Sequence, residues 1–187
     1  METYVSFLRG VNVSGKNPMK MEKLRSMFEE MGFKQVTTFI QSGNVVFQSK
    51  KTKVEKLEAA ITDAILYHFG YDVPVIVLSA DELESVITEN PFTTNERSEL
   101  NKLYVTFLAQ LPSADLQSKL AAVHFPPDEF VVDKKVVYLN CVGGYGATKL
   151  SNKYFETKLK LFATTRNWKT TCELLEIART IGKRKRN

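Results

Sequence analysis

The chain has 187 residues, with 26 Lys and Arg against 21 Asp and Glu, a formal net charge of +5, 43% hydrophobic and 25% charged residues. This is ordinary globular composition, which excludes a disordered chain and a disulfide scaffold. Cys141 and Cys172 are the only cysteines and neither has a CxxC partner, so two thiols in a reducing compartment are expected. The longest apolar runs, such as residues 73–80, are too short to span a bilayer. The start at Met-Glu followed by a strand pattern is unlike a secretory signal, so a cytoplasmic protein with no membrane partner is expected. Four of the positive charges, residues 183–186, end the chain and leave +1 for the rest, so nucleic acid is not an expected partner.

In chain order, residues 2–8 alternate and are rich in β-formers, which predicts a strand ending at Arg9-Gly10. A polar loop, 9–17, follows. Asn17 is read as the cap of a helix with Pro18 in its first position, and Met21, Leu24, Met27, Phe28 and Met31 recur at helical spacing up to Gly32. Residues 35–41 and 45–48 read as a hairpin around Ser42-Gly43-Asn44, where Gly and Asn accept positive φ. Val54, Leu57, Ile61, Ile65 and His68 line a second helix ended by Gly70, before a strand at 73–78. A helix at 81–88 stops at Asn90-Pro91, and 93–101 reads as a linker.

The pattern then restarts. A strand at 103–108, a helix at 113–123, a hairpin of 129–132 with 135–140, a helix at 152–160, a short strand at 161–165 and a last helix at 170–181 follow. Tyr4-Val5-Ser6-Phe7-Leu8 matches Tyr104-Val105-Thr106-Phe107-Leu108, and Val45-Val46-Phe47 matches Val136-Val137-Tyr138. The predicted fold is α+β: two tandem ferredoxin-like (βαββαβ) units with antiparallel sheets, residues 1–90 and 101–187, the second carrying the extra C-terminal helix and the basic tail.

In such a unit the first and second strands run parallel with the third between them, so their C-terminal ends share an edge. The 9–17 loop then lies beside the 41–44 turn, and Arg9, Asn12, Ser14, Lys16, Asn17, Gln41, Ser42 and Asn44 converge near the start of the first helix, a place suited to anions. The alternative is that Arg9, Asn12 and Asn44 only bond the loops to each other. In the second half the same logic brings Gly143-Gly144-Tyr145-Gly146 to Arg166-Asn167-Trp168, with Thr148 and Lys149 before a helix that Ser151 or Asn152 caps. Lys149, Arg166 and Asn167 are candidates there. The alternative, which is preferred for Arg166, makes Trp168 a core residue with Arg166 lying beside it.

Gly10-Val11-Asn12-Val13-Ser14-Gly15-Lys16 reads GxxxxGK in a strand-loop-helix context. Asn17 stands where a magnesium-holding Ser or Thr belongs, and no later strand ends in a partner Asp, so phosphate binding is retained and ATP hydrolysis is not. Residues 103–108 also resemble the first-strand motif of an RNA-recognition fold, but the partner strand lacks its aromatics and these side chains are read as core. His68 and His124 have no triad or metal-site neighbours at suitable spacing, so neither a catalytic residue nor a metal ligand is assigned, and no cofactor is named.

Taken together, RGVNVSGKN (9–17), FIQSGNVVF (39–47) and ATTRNWKT (163–170) resemble the bacterial domain-of-unknown-function family number 1697 over essentially the whole chain. The resemblance implies a cytoplasmic protein of two ferredoxin-like halves. Its motif residues map to Arg9, Gly10, Asn12, Gly15, Lys16, Asn17, Gln41, Ser42, Gly43, Asn44, Lys149, Thr165, Arg166, Asn167 and Trp168, with no catalytic residue to carry over. Ser14 departs from the family's usual glycine. The expected function is binding of a phosphorylated small molecule or nucleotide through the 9–17 loop and the 41–44 turn. A phosphoryl- or nucleotidyl-transfer enzyme using Lys16 and Arg166, and an RNA-binding module using a sheet face, are the alternatives.

Overall fold

The computed structural model describes residues 1–94 and 99–183, so the 184–186 part of the basic tail and residues 95–98 of the expected linker lie outside it. The fold is α+β, with two four-stranded antiparallel sheets. The chain divides into two compact units, residues 1–85 with 173–187 and residues 86–172. The sequence reading kept the whole last helix with the second half; its C-terminal part instead belongs to the first unit.

In the first unit, β1 (Glu2–Leu8), β2 (Lys34–Phe39), β3 (Asn44–Ser49) and β4 (Val75–Ser79) form a sheet of order β2-β3-β1-β4 in which every neighbouring pair is antiparallel. α1 (Met21–Glu30) and α2 (Val54–Phe69) cover one face. Their buried stripes, Leu24, Met27 and Phe28 on α1 and Leu57, Ile61 and Ile65 on α2, recur at helical spacing and meet Tyr4, Leu8, Val45, Phe47, Val75 and Val77 of the sheet. Phe47 lies at the centre, its ring 4.5 Å from Phe33 and 5.3 Å edge-on to Phe28. Gly70, with φ 73, ends α2 in the left-handed conformation expected of a helix-stopping glycine.

The reverse face is buried too, through Thr3, Val5, Phe7, Val46, Gln48 and Ile76, so β1 and β3 are covered on both faces and their burial does not alternate. Part of α6 (Trp168–Lys183) covers it: Gln48 Nε2 donates to the carbonyl of Ile181, and Leu174, Leu175, Ala178 and Ile181 form the buried stripe. Arg179 pairs at 2.6 Å with Glu84 on α3 (Ala80–Thr88). β2 is the edge strand. Its register shifts between Lys34 and Thr37, with Gln35 at φ 53, an irregularity that blunts an otherwise open edge.

Two local expectations are corrected. Asn17 does not cap α1, because its φ of 45 turns the chain and its side chain donates to the Gly10 carbonyl. Residues 18–20 then run on without helix, burying Met19, and α1 starts at Met21 behind Lys20, which makes no side-chain cap. In the hairpin, positive φ falls on Ile40 and Gly43, at 51 and 70, and not on Asn44. Asn44 is already a strand residue, fully buried and paired with both Phe7 and Phe39.

In the second unit, β5 (Leu103–Leu108), β6 (Glu129–Asp133), β7 (Val136–Asn140) and β8 (Ala163–Asn167) form an antiparallel sheet of order β6-β7-β5-β8. A 3-10 turn at Leu100–Lys102 leads into β5. Leu108, Val137, Leu139 and Cys141 pack on Leu120 of α4 (Ala114–Ala121) and on Phe155 and Leu159 of α5 (Asn152–Leu159). β8 begins two residues later than the spacing suggests, because Lys160, at φ 57, caps α5. Ser113 and Ser151 cap α4 and α5 by accepting from Leu116 N and Tyr154 N. Among the described residues no helix is long and apolar enough to cross a membrane.

Candidate functional site

At one edge of the first sheet the 9–17 loop, where β1 ends, meets the turn between β2 and β3. Asn12 joins them. Its Nδ2 donates at 2.8 Å to both the Met19 and Gln41 carbonyls, and its Oδ1 accepts from Met19 N at 2.7 Å. Asn has a second suitability here, since φ is 54 and asparagine tolerates the left-handed region better than most residues. Asn17 ties the loop to Gly10, and Asn12 N donates to the Asn17 carbonyl. Asn44 closes the turn by donating to Phe39 O and to Ser42 Oγ. Leu8 N donates to Gly43 O and Arg9 N to Pro74 O, fixing the start of the loop.

The structure thus brings Arg9, Asn12, Lys16, Asn17, Gln41, Ser42 and Asn44 to one edge, and spends the three asparagine amides on the loops themselves. Besides Asn12 itself, Val13, Ser14, Gly15 and Lys16 at the tip face solvent, with Ile40 and Gln41 on the turn. Arg9, Asn17 and Ser42 are half-buried. The loop backbone passes repeatedly through the left-handed region, at Gly10, Asn12, Ser14, Gly15 and Asn17. Two of its N–H groups are used within the loop, that of Asn12 by the Asn17 carbonyl and that of Lys16 by the Val13 carbonyl. α1 starts four residues after Asn17, so this is unlike a loop whose lysine opens directly into a helix.

The second unit treats its candidates differently. Tyr145, in the glycine-rich loop, donates to Thr165 Oγ1 and accepts from Asn152 N, both at 3.1 Å. Thr165 in turn bonds Asn152 Oδ1 at 2.6 Å and Thr106 at 2.7 Å. The rings of Tyr104 and Tyr145 lie 5.1 Å apart. This network holds the loop against the helix-covered face, so it is Thr165, and not Arg166, that reaches it. Alternation along β8 sends Arg166 to the opposite face, where it is 8% exposed and bonds Thr164 Oγ1 and Thr165 O. Asn167 Oδ1 accepts from Thr170 N and so caps α6, and Trp168 is buried. Lys149 is exposed, with its carbonyl taken by Ser151 N.

Asp128 holds the neighbouring loop through Val142 N and Thr148 Oγ1. Cys141 beside it is buried, and burial pushes its thiol up to about 11, so it is protonated at neutral pH and is no nucleophile. Cys172 is half-buried. Tyr4 is 1% exposed, on the face under α1 and α2, and Tyr104 is half-buried, so neither offers a ring on an open sheet for a base to stack upon. Among the described residues no three His, Cys, Asp or Glu side chains gather so as to hold a metal ion.

A surface groove of about 440 Å³ in the second unit, among Phe92, His124, Phe125, Pro126, Pro127 and Phe130, did not emerge from the sequence reading. The run His-Phe-Pro-Pro was its one signal, since prolines cannot join the sheet, and the half-buried Phe125 beside them packs edge-on to Tyr154.

The structure defines an α+β protein of two antiparallel four-stranded sheets, with a loop edge tied by asparagines on the first. Residues 1–138 match the family described as "Protein of unknown function (DUF1697)", and the chain belongs to that family. The match covers the 9–17 and 39–47 motifs and stops before 163–170. Among solved structures, the conserved bacterial protein SP0830 from Streptococcus pneumoniae is similar in fold, with a TM-score of 0.75 at 22% identity, over 95% of this chain and 98% of that one. No functionally curated protein matches the chain.

Proposed function

We propose that the protein binds a phosphorylated small molecule or nucleotide at the edge formed by the 9–17 loop and the 41–44 turn. The observation that carries this reading is the division of labour at that edge. The Asn12 amide joins the two segments through the Gln41 carbonyl at 2.8 Å and ties the loop to Met19, while Lys16 and the left-handed tip around it stay exposed. A loop already fixed by its own hydrogen bonds loses little entropy on binding, and an exposed ammonium suits a phosphate dianion. The strand order β2-β3-β1-β4, repeated as β6-β7-β5-β8, supports the finer view that each sheet with its helices is a ferredoxin-like unit. Two cysteine thiols, neither in a disulfide, support a cytoplasmic setting.

The reading is tested by thermal shift of the purified protein against a panel of nucleotides and sugar phosphates. At least one phosphorylated compound is expected to raise the melting temperature, and Lys16→Ala is expected to abolish that rise while leaving the ligand-free melting temperature within about 1 °C, since an exposed lysine contributes little to stability. No shift across the panel, or a shift that Lys16→Ala retains in full, would count against it.

A further inference from the structure

The two sheets treat their corresponding edge strands differently. In the first sheet β2 is interrupted by the register shift between Lys34 and Thr37, with Gln35 at φ 53. β6, which holds the same end place in the second sheet, has no such device. It pairs with β7 in unbroken register from Glu129 to Asp133, and its sequence Glu-Phe-Val-Val-Asp contains no proline, glycine or lysine. Among the described residues β7 is its one strand partner. A strand paired on one side turns every second N–H and C=O outward, and an edge that serves no partner is normally blunted by a bulge, a proline or a lysine.

The groove of about 440 Å³ in this unit lies along that edge, because its lining includes Glu129, Phe130 and Val131 in succession. Successive strand residues face opposite sides of a sheet, so a groove that reaches three in a row reaches the edge of the strand, and β7 already occupies the other edge. Phe92 and Phe125 add apolar walls, and Val131 is 40% exposed. The described lining carries two carboxylates, Asp128 and Glu129, and neither lysine nor arginine. Lys134, just beyond β6, is engaged by Glu89 at 2.8 Å.

We propose that β6 is a docking edge for an extended basic peptide of a partner protein, which joins the sheet as a further strand with apolar side chains in the groove and lysine or arginine beside Asp128 and Glu129. A second copy of the chain suits the edge less well. In the antiparallel pairing of two β6 strands that aligns all five residues, centred on Val131, Glu129 stands opposite Asp133 of the other copy, like charge against like.

Fluorescence anisotropy of the full chain with three short labelled peptides is the test: one alternating lysine and valine, one alternating glutamate and valine, and the lysine–valine peptide N-methylated at every backbone amide. The first is expected to bind at least about ten-fold more tightly than either of the others, since one control loses the charge match and the other the backbone donors. General attraction to a chain of net charge +5 would favour the glutamate peptide, so the expected order reports the local carboxylates. Val131→Lys is expected to weaken the lysine–valine peptide by about ten-fold while leaving the melting temperature within about 2 °C, because the site is exposed and a lysine there repels the incoming cation. No binding of the lysine–valine peptide, equal binding of its N-methylated form, or binding that Val131→Lys retains in full overturns the proposal. A dimer in light scattering that Val131→Lys dissociates also overturns it, and assigns the edge to a second copy.

Discussion

Gly43→Ala is expected to destabilise the first unit by about 2–4 kcal/mol. A Cβ at this position would stand 2.7 Å from Leu8 Cβ, closer than real Cβ atoms approach, and a tight 3.3 Å from Val11 Cβ, and both neighbours are buried in the core. The backbone has no way round it. Gly43 is at φ 70, and its carbonyl accepts from Leu8 N at 2.9 Å, so moving the turn outward breaks the bond that registers β3 against the end of β1. Gly15→Ala is the control. It shares a positive φ, 74, but nothing lies within 4 Å of the added methyl, so only the conformational cost of about 1 kcal/mol is expected. Urea unfolding of the two variants measures the difference; midpoints that fall equally would show that the close approach to Leu8 is not part of the folded state.

Asn12→Ala is expected to cost about 2–3 kcal/mol and to loosen the whole edge. It removes the donations to Met19 O and Gln41 O and the acceptance from Met19 N, and it puts alanine where φ is 54. Asn12→Asp is expected to be no better. It keeps an acceptor for Met19 N but turns a carboxylate toward two carbonyl oxygens that had received an N–H. Amide hydrogen exchange provides the local readout: the Met19 N–H is expected to exchange faster in Asn12→Ala, while the α2 amides are slowed or quickened only through the global stability change. Unaltered exchange at Met19 would mean that another group holds the loop.

What could be read from the sequence follows from how local each cause is. The stripes of α1 and α2, the existence of β1 and the stop at Gly70 depend on residues within one element, and they were legible; the expected alternation of β1 is absent, because both of its faces are buried. The meeting of the 9–17 loop with the 41–44 turn followed from strand order alone. The roles inside that edge did not. Asn17 looked like a helix cap because it precedes proline, yet its amide reaches back to Gly10. That Asn12 bonds the two loops to each other was one of two alternatives open in the sequence, which could not choose between them because its partners are seven and twenty-nine residues away. Gly43 was legible as a turn glycine, but the approach of Leu8 that forbids any other residue is a tertiary fact. The partners of the last helix were hidden for the same reason: its apolar stripe says that it packs, and only the folded chain says that Gln48 and Glu84 are among the neighbours of its C-terminal part.

Residue-resolved amide shifts during titration with a phosphorylated ligand test the binding edge most directly. With inorganic phosphate or a nucleoside monophosphate from the panel, the largest shifts are expected at the N–H groups of residues 12–17 and 41–43, saturating together at one dissociation constant and vanishing in Lys16→Ala. Shifts that gather instead around Phe92, Phe125 and Phe130, or that leave residues 12–17 unmoved at saturation, would contradict it.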